Sequence, residues 1–404
     1  MEMVSVPRTY GTASASDDSP PKPTPGGCVR VLYVIDQICQ MGGAERVLLE
    51  IVRRLPAGRF RCAVVTFRSN PNLAALRDLP CPLHVFPLHR TYDFNAAKMA
   101  ICLRELIRAN NISIVHTFFE SSDIWAAPVA KLSGCPVLIS SRRDMGILRT
   151  RKHHLAYKVV NRLFDRVLAV SNEVRAFALN HDHLPPERVE TLYNGVDLQT
   201  LDARACEGCP PSRQRLKSQE IVVSTLANIR FVKGVDVLAR AAARVCFEYP
   251  DAVFQVVGGI LEPETFAELQ ALVESLGLGG RFRFLGAMSN PYPVLAGSDI
   301  FCLPSRNEGF SNALIEAMGL RLPSVATRVG GNAEALTEGV NGFLVDSENV
   351  TAMTDRILRL IRDPELRREM GDAARRAVES HFSMGAMMTR LTKIYEELLA
   401  EKQL

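Results

Sequence analysis

Short apolar runs alternate with helical patterns from residue 29 onward. The run VRVLYVI at Val29–Ile35 has the length of a buried strand, and apolar residues three and four apart predict a helix over Ala44–Leu55. Similar units recur as far as Val189–Leu192, and a second series begins with the strand Ile221–Leu226. Strands that alternate with helices are typical of parallel sheets covered on both faces. The pattern therefore predicts an α/β protein with two doubly wound domains.

The same pattern sets the predicted domain boundaries. Residues 1–27 are rich in Ser, Pro and Gly without an apolar run, which predicts a disordered tail. The first domain is expected over 28–200, a polar linker with Pro210 and Pro211 over 201–220, and the second domain over 221–382. A last helix over 383–404 either returns to the first domain or packs locally on the second.

Composition narrows the class of protein. The chain has 404 residues, of which 47% are hydrophobic and 23% charged, as in a soluble globular protein. A net charge of +4 is too small to argue for a nucleic-acid partner. The ten cysteines are scattered and Cys206 and Cys209 form an isolated CxxC pair, which favours reduced thiols in a cytoplasmic protein over zinc. No run of 18 apolar residues predicts a membrane span.

A strand–loop–helix in the second domain carries the clearest candidate chemistry. The strand Ile300–Leu303 is followed by a polar loop and by a helix whose N-cap is Ser311 or Asn312. Glu308 and Glu316 flank this helix N-terminus, whose free N–H groups and partial positive charge suit a phosphate. Carboxylates beside an anion site can accept hydrogen bonds from hydroxyls, which indicates a sugar–phosphate or nucleotide–sugar site. The alternative is that either carboxylate is plain surface.

Two cations are expected at the same edge of the second sheet. Arg230 and Lys233 lie in the loop NIRFVKG, between a strand and a helix. Together they can neutralise a diphosphate, although either alone is more often a solvated surface charge. The sequence has no Asp-x-Asp motif and no His/Asp/Glu cluster at metal spacing, so we expect protein cations and no metal to balance the diphosphate.

Glycine pairs also follow two predicted strands, at Gly42-Gly43 and Gly258-Gly259. They allow backbone to approach a phosphate, or they mark tight turns only. Neither G-x-G-x-x-G nor G-x-x-x-x-G-K-[ST] occurs there, which disfavours a dinucleotide cofactor or an ATP P-loop.

Four motifs in order carry a family resemblance. They are GGAER at Gly42–Arg46, NGVD at Asn194–Asp197, R-x-x-K-G at Arg230–Gly234 and E-G-F-S-N-x-x-x-E at Glu308–Glu316. With them the chain resembles glycosyltransferase family 4 from about Val29 to its C-terminus. The resemblance implies the GT-B fold, in which two Rossmann-like domains face each other across a cleft. It also implies a retaining enzyme whose first domain binds the acceptor and whose second binds a nucleotide sugar.

The resemblance implies roles for residues of the second domain. Glu316 is expected to bind the donor ribose, and Glu308 the hydroxyls of the transferred sugar. Backbone N–H groups assist Glu308, from Gly309, Phe310, Ser311 and Asn312. Arg230 and Lys233 are expected to hold the diphosphate, but many relatives place the arginine where this chain has Asn228.

In the first domain the resemblance implies two contacts. Gly43 is expected to let its loop approach the donor. His116, at the end of the predicted strand Ile112–His116, matches a histidine near the transferred sugar, although a lone strand-end histidine is more often structural.

The implied reaction is hexosyl transfer with retention, without cofactor or metal, in which the departing diphosphate takes the acceptor proton. Family frequency favours UDP over GDP, and a glycan or lipid-linked acceptor in polysaccharide or glycolipid assembly. Two alternatives stay open: a GT-B sugar-nucleotide epimerase, and a non-catalytic sugar-nucleotide-binding protein.

A basic segment over Arg142–Arg162 interleaves cations with leucine and valine. This composition fits a peripheral contact with anionic lipid at the inner face of a membrane. It equally fits a solvated helix face.

Overall fold

The computed structural model describes residues 9–10, 28–146, 149–207 and 220–403. The chain divides into two compact units, one of Met1–Leu192 with Met388–Leu404 and one of Tyr193–Met387. The second unit therefore begins before the boundary expected at residue 200. Most of the predicted disordered tail lies outside the described residues, but Thr9–Tyr10 form a short strand there.

The first unit is built on one twisted sheet of eight strands. The strands are β1 (Thr9–Tyr10), β2 (Val29–Ile38), β3 (Phe60–Ser69), β4 (Leu83–Val85), β5 (Ile114–Phe118), β6 (Val137–Arg142), β7 (Arg166–Ala169) and β8 (Val189–Thr191). Their order is β1-β4-β3-β2-β5-β6-β7-β8, and β1 pairs antiparallel with β4 while the other neighbours are parallel. From β2 the chain adds β3 and β4 on one side of the sheet, and it then crosses back to add β5 to β8 on the other side. The strand order therefore reverses between β2 and β5.

Six helices connect these strands: α1 (Gly43–Arg54), α2 (Ala74–Arg77), α3 (Phe94–Ala109), α4 (Glu120–Leu132), α5 (Arg151–Val160) and α6 (Asn172–His181). The predicted apolar positions of α1, among them Val47, Leu48 and Ile51, are buried. Burial of such a face against the sheet is what stabilises a helix of this length.

The second unit repeats the design with six parallel strands. They are β9 (Ile221–Leu226), β10 (Ala252–Val257), β11 (Phe282–Gly286), β12 (Ile300–Leu303), β13 (Ser324–Thr327) and β14 (Gly342–Val345). Their order is β11-β10-β9-β12-β13-β14, so the reversal falls between β9 and β12. The two strands pair through Ile300 with Val223 and Phe301 with Ser224.

Nine helices complete the described chain: α7 (Leu198–Cys206), α8 (Val235–Glu248), α9 (Pro263–Ser275), α10 (Tyr292–Ala296), α11 (Asn312–Gly319), α12 (Asn332–Ala335), α13 (Val350–Arg362), α14 (Pro364–His381) and α15 (Met384–Glu401). Short 3-10 turns occur at Asn161–Leu163, Pro186–Arg188 and Phe231–Lys233. The helix α15 begins in the second unit, and from Met388 onward it groups with the first.

Part of the predicted linker is helical. Residues 201–206 belong to α7, where Leu201 is buried and Asp202 accepts two hydrogen bonds from Arg375 at 2.8 and 2.9 Å. The linker prediction was wrong for these residues. Arg375, which binds Asp202, is remote in sequence, so the local pattern did not reveal the helix. Residues 208–219 lie outside the described residues.

Candidate functional site

The second unit brings two of the predicted loops together at its topological switch point. The loop after β9 carries Arg230 and Lys233, and the loop after β12 carries Glu308. The strands β9 and β12 are neighbours, but the chain leaves β9 towards β10 on one side of the sheet and leaves β12 towards β13 on the other. The loops at their carboxyl ends therefore diverge and leave a crevice between them. Ligands of doubly wound sheets bind at such crevices.

The contact between these loops is an ion pair. The Lys233 Nζ lies 2.7 Å from the Glu308 Oε1, and the Ser305 hydroxyl donates to the same oxygen at 2.7 Å. The side chain of Lys233 is 27% exposed and that of Glu308 only 9%. Glu308 is therefore not a plain surface carboxylate, and the cation beside it stays within reach of a ligand.

Two glycines permit the close approach of these loops. Gly234 has a φ of +62°, and a Cβ there would collide with the carbonyl oxygen of Pro304. Gly330 has a φ of +53°, and a Cβ there would collide with the carbonyl oxygen of Glu308. Left-handed backbone favours glycine at both positions. The position of Glu308 thus depends on Gly330 in the loop after β13.

The helix α11 begins where the sequence predicts. Its N-cap is Ser311, whose hydroxyl accepts from the Leu314 N–H at 3.3 Å. Glu316 lies one turn further and is 5% exposed, so it too is not a plain surface residue. The Tyr292 hydroxyl donates to the Glu316 Oε1 at 3.2 Å. This tyrosine positions the carboxylate.

The remaining predicted donor residues line the start of α11. Phe310 is buried, with its ring 5.3 Å from those of Tyr193 and Phe382. The Gly309 carbonyl accepts from the Gly331 N–H at 3.0 Å, and Asn312 Oδ1 accepts from the Asn194 side chain at 2.6 Å. These contacts fix the backbone whose N–H groups are proposed to assist Glu308.

Arg230 does not join the pair of Lys233 and Glu308. Its Nε donates to the Glu262 Oε1 at 3.2 Å. The Asn228 Oδ1 accepts from the Gly259 N–H at 2.8 Å. The loops that contain Gly259 and Arg230 are thus joined, which gives Gly258-Gly259 a structural role.

His116 lies inside the first unit's sheet and not at a strand end. The strand β5 continues to Phe118, because Thr117 and Phe118 pair with both neighbouring strands, β2 and β6. His116 Nδ1 is 2.7 Å from the Tyr395 hydroxyl and Nε2 is 2.8 Å from the Ser141 hydroxyl. Burial lowers the pKa of His116 to about 3. Both ring nitrogens are engaged, which favours the structural alternative over a contact with the sugar.

Gly43 is the first residue of α1, with Gly42 as the N-cap. The Glu45 side chain folds back towards Gly42, and burial raises the pKa of Glu45. This arrangement fits a helix start, and a contact of Gly43 with the donor stays a prediction.

Some cations of the basic segment Arg142–Arg162 are buried and others are exposed. The side chains of Arg142 and Arg149 are 3% and 1% exposed. Arg142 lies 3.3 Å from Asp123, and Arg149 donates to Asp182 at 2.7 Å. The prediction that these two arginines contact lipid was therefore wrong, since they pair with buried carboxylates. The side chains of Arg151, Lys152, Lys158 and Arg162 are exposed.

The family comparisons match both units in sequence. The model for "Glycosyltransferase Family 4" matches residues 41–200, and that for "Glycosyl transferases group 1" matches residues 211–377. The chain belongs to glycosyltransferase family 4. This confirms the family suggested by the four motifs.

Related proteins cover different shares of the chain. The N-acetyl-alpha-D-glucosaminyl L-malate synthase of Bacillus anthracis is 32% identical over 59% of this chain, and the chain covers 61% of that relative. The UDP-Gal:alpha-D-GlcNAc-diphosphoundecaprenol alpha-1,3-galactosyltransferase of Escherichia coli is 23% identical over 90% of this chain, and the match covers 95% of that relative's length.

A solved structure supports the fold class. The Anabaena Alr3699/HepE in complex with UDP has a TM-score of 0.79 at 21% identity, over 91% of this chain and 100% of its own. With two parallel-sheet units, this likeness confirms the α/β GT-B fold. Among the described residues, we find no helix with both the length and the apolar composition that a membrane span requires.

Sequence reasoning missed several residues that shape the site. Ser305, Tyr292 and Glu262 each hold a predicted donor residue, but a single serine, tyrosine or glutamate near a loop gives no pattern to detect. In the first unit, Asp36 of β2 was also missed, although a carboxylate late in a buried strand is a detectable signal. It accepts from the Ser122 N–H at 2.7 Å, and burial raises its pKa to about 6.

Proposed function

We propose that the protein is a retaining glycosyltransferase that moves a hexosyl group from a nucleotide diphosphate sugar to a glycan or lipid-linked acceptor. The observation that carries the proposal is the ion pair between Lys233 and Glu308, 2.7 Å apart at the second unit's switch point. A cation and a carboxylate side by side suit a ligand that presents both phosphate and hydroxyl groups.

The proposed roles follow from these positions. Lys233 and Arg230 stabilise the negative charge that develops on the departing diphosphate. Glu308 accepts hydrogen bonds from the transferred sugar, and Glu316 from the ribose. Lys233 and Ser305 already hold the Glu308 carboxylate in one orientation. A sugar hydroxyl would therefore donate its hydrogen bond to a carboxylate that is in place before the donor binds.

The chemical step is a substitution at the anomeric carbon. The bond from this carbon to the diphosphate oxygen breaks, and a bond to the acceptor oxygen forms on the same face of the sugar. The acceptor proton passes to the departing diphosphate, so the protein need not supply a base. We propose that protein cations, without a metal, balance the charge in this step.

We propose UDP as the nucleotide of the donor, with GDP as the alternative. The structural neighbour in complex with UDP supports this choice, as does the Escherichia coli relative whose name contains UDP-Gal. The diphosphoundecaprenol in the same relative's name supports a lipid-linked acceptor in polysaccharide or glycolipid assembly.

The first test is a thermal-shift panel of UDP, GDP and ADP without metal. A diphosphate that binds the folded state raises the melting temperature by mass action. We expect UDP to stabilise the wild type and the control Glu274→Ala, an exposed glutamate on α9, but not Glu316→Ala. A wild type that responds to none of the three nucleotides would overturn the proposed donor site.

Product analysis then tests the reaction. Incubation of a UDP-sugar with an acceptor should yield a glycoside of the same anomeric configuration as the donor. Conversion of the sugar nucleotide without an acceptor would instead support an epimerase.

We further propose a peripheral membrane contact through one surface of the first unit, the apolar–basic surface formed by Tyr92, Phe94, Lys152, Leu155 and Val159. The four apolar side chains are 63% to 89% exposed. The Lys152 Nζ lies 5.9 Å above the Tyr92 ring, which joins the loop before α3 to α5. Exposed aromatic and aliphatic groups beside cations fit an anionic lipid interface.

Flotation with anionic and neutral vesicles tests this contact. We expect the wild type to float with anionic vesicles, Phe94→Ser with Leu155→Ser to remain in solution, and Phe247→Ser to behave as wild type. Phe247 is a matched control because it is 89% exposed on α8 in the other unit. Equal flotation of the wild type and both variants would contradict the proposed surface.

A further inference from the structure

The guanidinium of Arg230 is bound through its Nε atom only, within the described ranges. Its Nε donates to the Glu262 Oε1 at 3.2 Å, and no other hydrogen bond to its guanidinium occurs within the described ranges. The side chain is 44% exposed. The two terminal nitrogens thus stay available, and a guanidinium can bind a phosphate with two parallel hydrogen bonds.

Glu262 is itself fixed by three groups. Its Oε2 accepts from the Phe231 N–H at 2.7 Å and from the Thr265 hydroxyl at 3.1 Å, while its Oε1 accepts from Arg230. The Phe231 N–H is also the main cause of a lowered pKa of Glu262, which keeps this carboxylate charged. An anchored carboxylate restricts the rotamers of the arginine that it binds.

The backbone around the pair is joined as well. Ile229 N–H donates to the Gly259 carbonyl at 2.7 Å, and Leu261 N–H donates to the Ile229 carbonyl at 3.2 Å. Arg230 then directly precedes the 3-10 turn that ends at Lys233. Arg230 itself is extended, and it shares the loop after β9 with Lys233, the last residue of the turn.

We infer that Glu262 is a positioning residue, which holds Arg230 with its terminal nitrogens presented to the donor diphosphate. This inference rests on the proposed function. The loop after β9 then supplies the cation, and Glu262 in the loop after β10 orients it.

Binding of UDP and of uridine separates this role from a structural one. Glu262→Ala should weaken UDP binding about tenfold, because a free arginine must lose rotamer freedom on binding. Uridine lacks phosphate, so its affinity, measured by displacement of UDP, should not change. Equal losses for both would mean that Glu262 only supports the loop, and tighter UDP binding would mean that it repels the diphosphate; either result overturns the inference.

A matched pair in the same unit supplies the control. Glu338 also accepts a backbone N–H, from Leu344 at 2.6 Å, and pairs with Arg356 at 3.0 Å at similar exposure. Glu338→Ala should leave UDP binding as in the wild type. An equal loss of UDP affinity in Glu338→Ala would overturn the inference.

Two further variants complete the test. Arg230→Ala combined with Glu262→Ala should bind UDP no more weakly than Arg230→Ala alone, because the carboxylate acts through the arginine. Glu262→Gln keeps an acceptor for the Phe231 N–H, so it serves as the test if the alanine variant fails to fold. We expect Glu262→Gln to lose about threefold in affinity for UDP but not for uridine, since a neutral acceptor binds arginine more weakly.

The wild type separates the two proposals. If it binds none of UDP, GDP or ADP, the proposed function fails and the inference with it. If it binds UDP and the Glu262 variants bind UDP equally well, only the inference fails.

Discussion

The switch points of the two sheets occupy the same place in the fold but carry different chemistry. In the second unit, the loops after β9 and β12 present Lys233 and Glu308 as a partly exposed pair. In the first unit, the matching strands β2 and β5 direct their polar groups inward. Asp36 binds the N-terminus of α4 through Ser121 and Ser122, and His116 lies between Tyr395 and Ser141.

This difference shows how one architecture supports two tasks. Asp36 and His116 find their hydrogen-bond partners within the first unit, so they contribute to its stability. The cations of the second unit keep part of their hydrogen-bonding capacity for a ligand. The architecture supplies the crevice, and the side chains decide whether it can bind an anion.

The largest expected effect is that of Lys233→Ala. It removes a preformed cation beside the departing diphosphate and leaves the buried Glu308 without its counter-ion. We expect transfer from a UDP-sugar to fall by at least about a hundredfold in kcat, as for loss of one group that stabilises transition-state charge. Lys233→Arg should recover part of the rate. A kcat near the wild-type value in Lys233→Ala would show that the second unit's switch point does not supply this cation to the diphosphate.

A smaller effect is expected for Glu316→Gln. The amide keeps an acceptor for Tyr292 but loses the charge that strengthens hydrogen bonds to ribose hydroxyls. Loss of a charged hydrogen bond costs about 1.5–3 kcal/mol, so UDP affinity should fall about tenfold to a hundredfold. Calorimetry with UDP measures this change, and an unchanged affinity would remove Glu316 from the site.

The smallest effect on the ligand is expected in the first unit. His116→Gln should leave UDP affinity unchanged but alter the dependence of stability on pH. The folded-state pKa of His116, about 3, lies below its ordinary value, so the unfolded state binds more protons between about pH 6.5 and 3. Wild type should therefore lose up to about 1.4 kcal/mol of stability per pH unit as pH falls through this window.

Urea titrations at several pH values check this slope, with the exposed His154→Gln as control. His116→Gln should show a shallower slope, because glutamine does not ionise. An identical slope in both variants would show that His116 is not held neutral.

Local sequence was enough to predict much of the second unit. The strands Ile221–Leu226 and Ile300–Leu303 have the predicted bounds, and α11 follows the predicted N-cap Ser311. Apolar runs and capping residues act over a few positions, so a single sequence shows them. The position of each loop between a strand and a helix likewise predicted that Lys233 and Glu308 share an edge of the sheet.

Contacts between remote segments were not predictable. His116 and its partner Tyr395 are 279 residues apart, so nothing near the histidine indicates that its ring is engaged. Arg142 and Arg149 look like surface cations until the fold brings Asp123 and Asp182 beside them. The same limit explains why the pairing of Arg230 with Glu262 was missed.

Hydrogen–deuterium exchange with and without UDP tests the difference between the switch points most directly. We predict slower exchange on UDP binding in residues 228–234 and 304–316, because a ligand there protects the loops after β9 and β12. Residues 36–45 and 116–123 of the first unit should respond less. Protection confined to the first unit's segments, with 228–234 and 304–316 unchanged, would contradict the assignment of the donor site to the second unit.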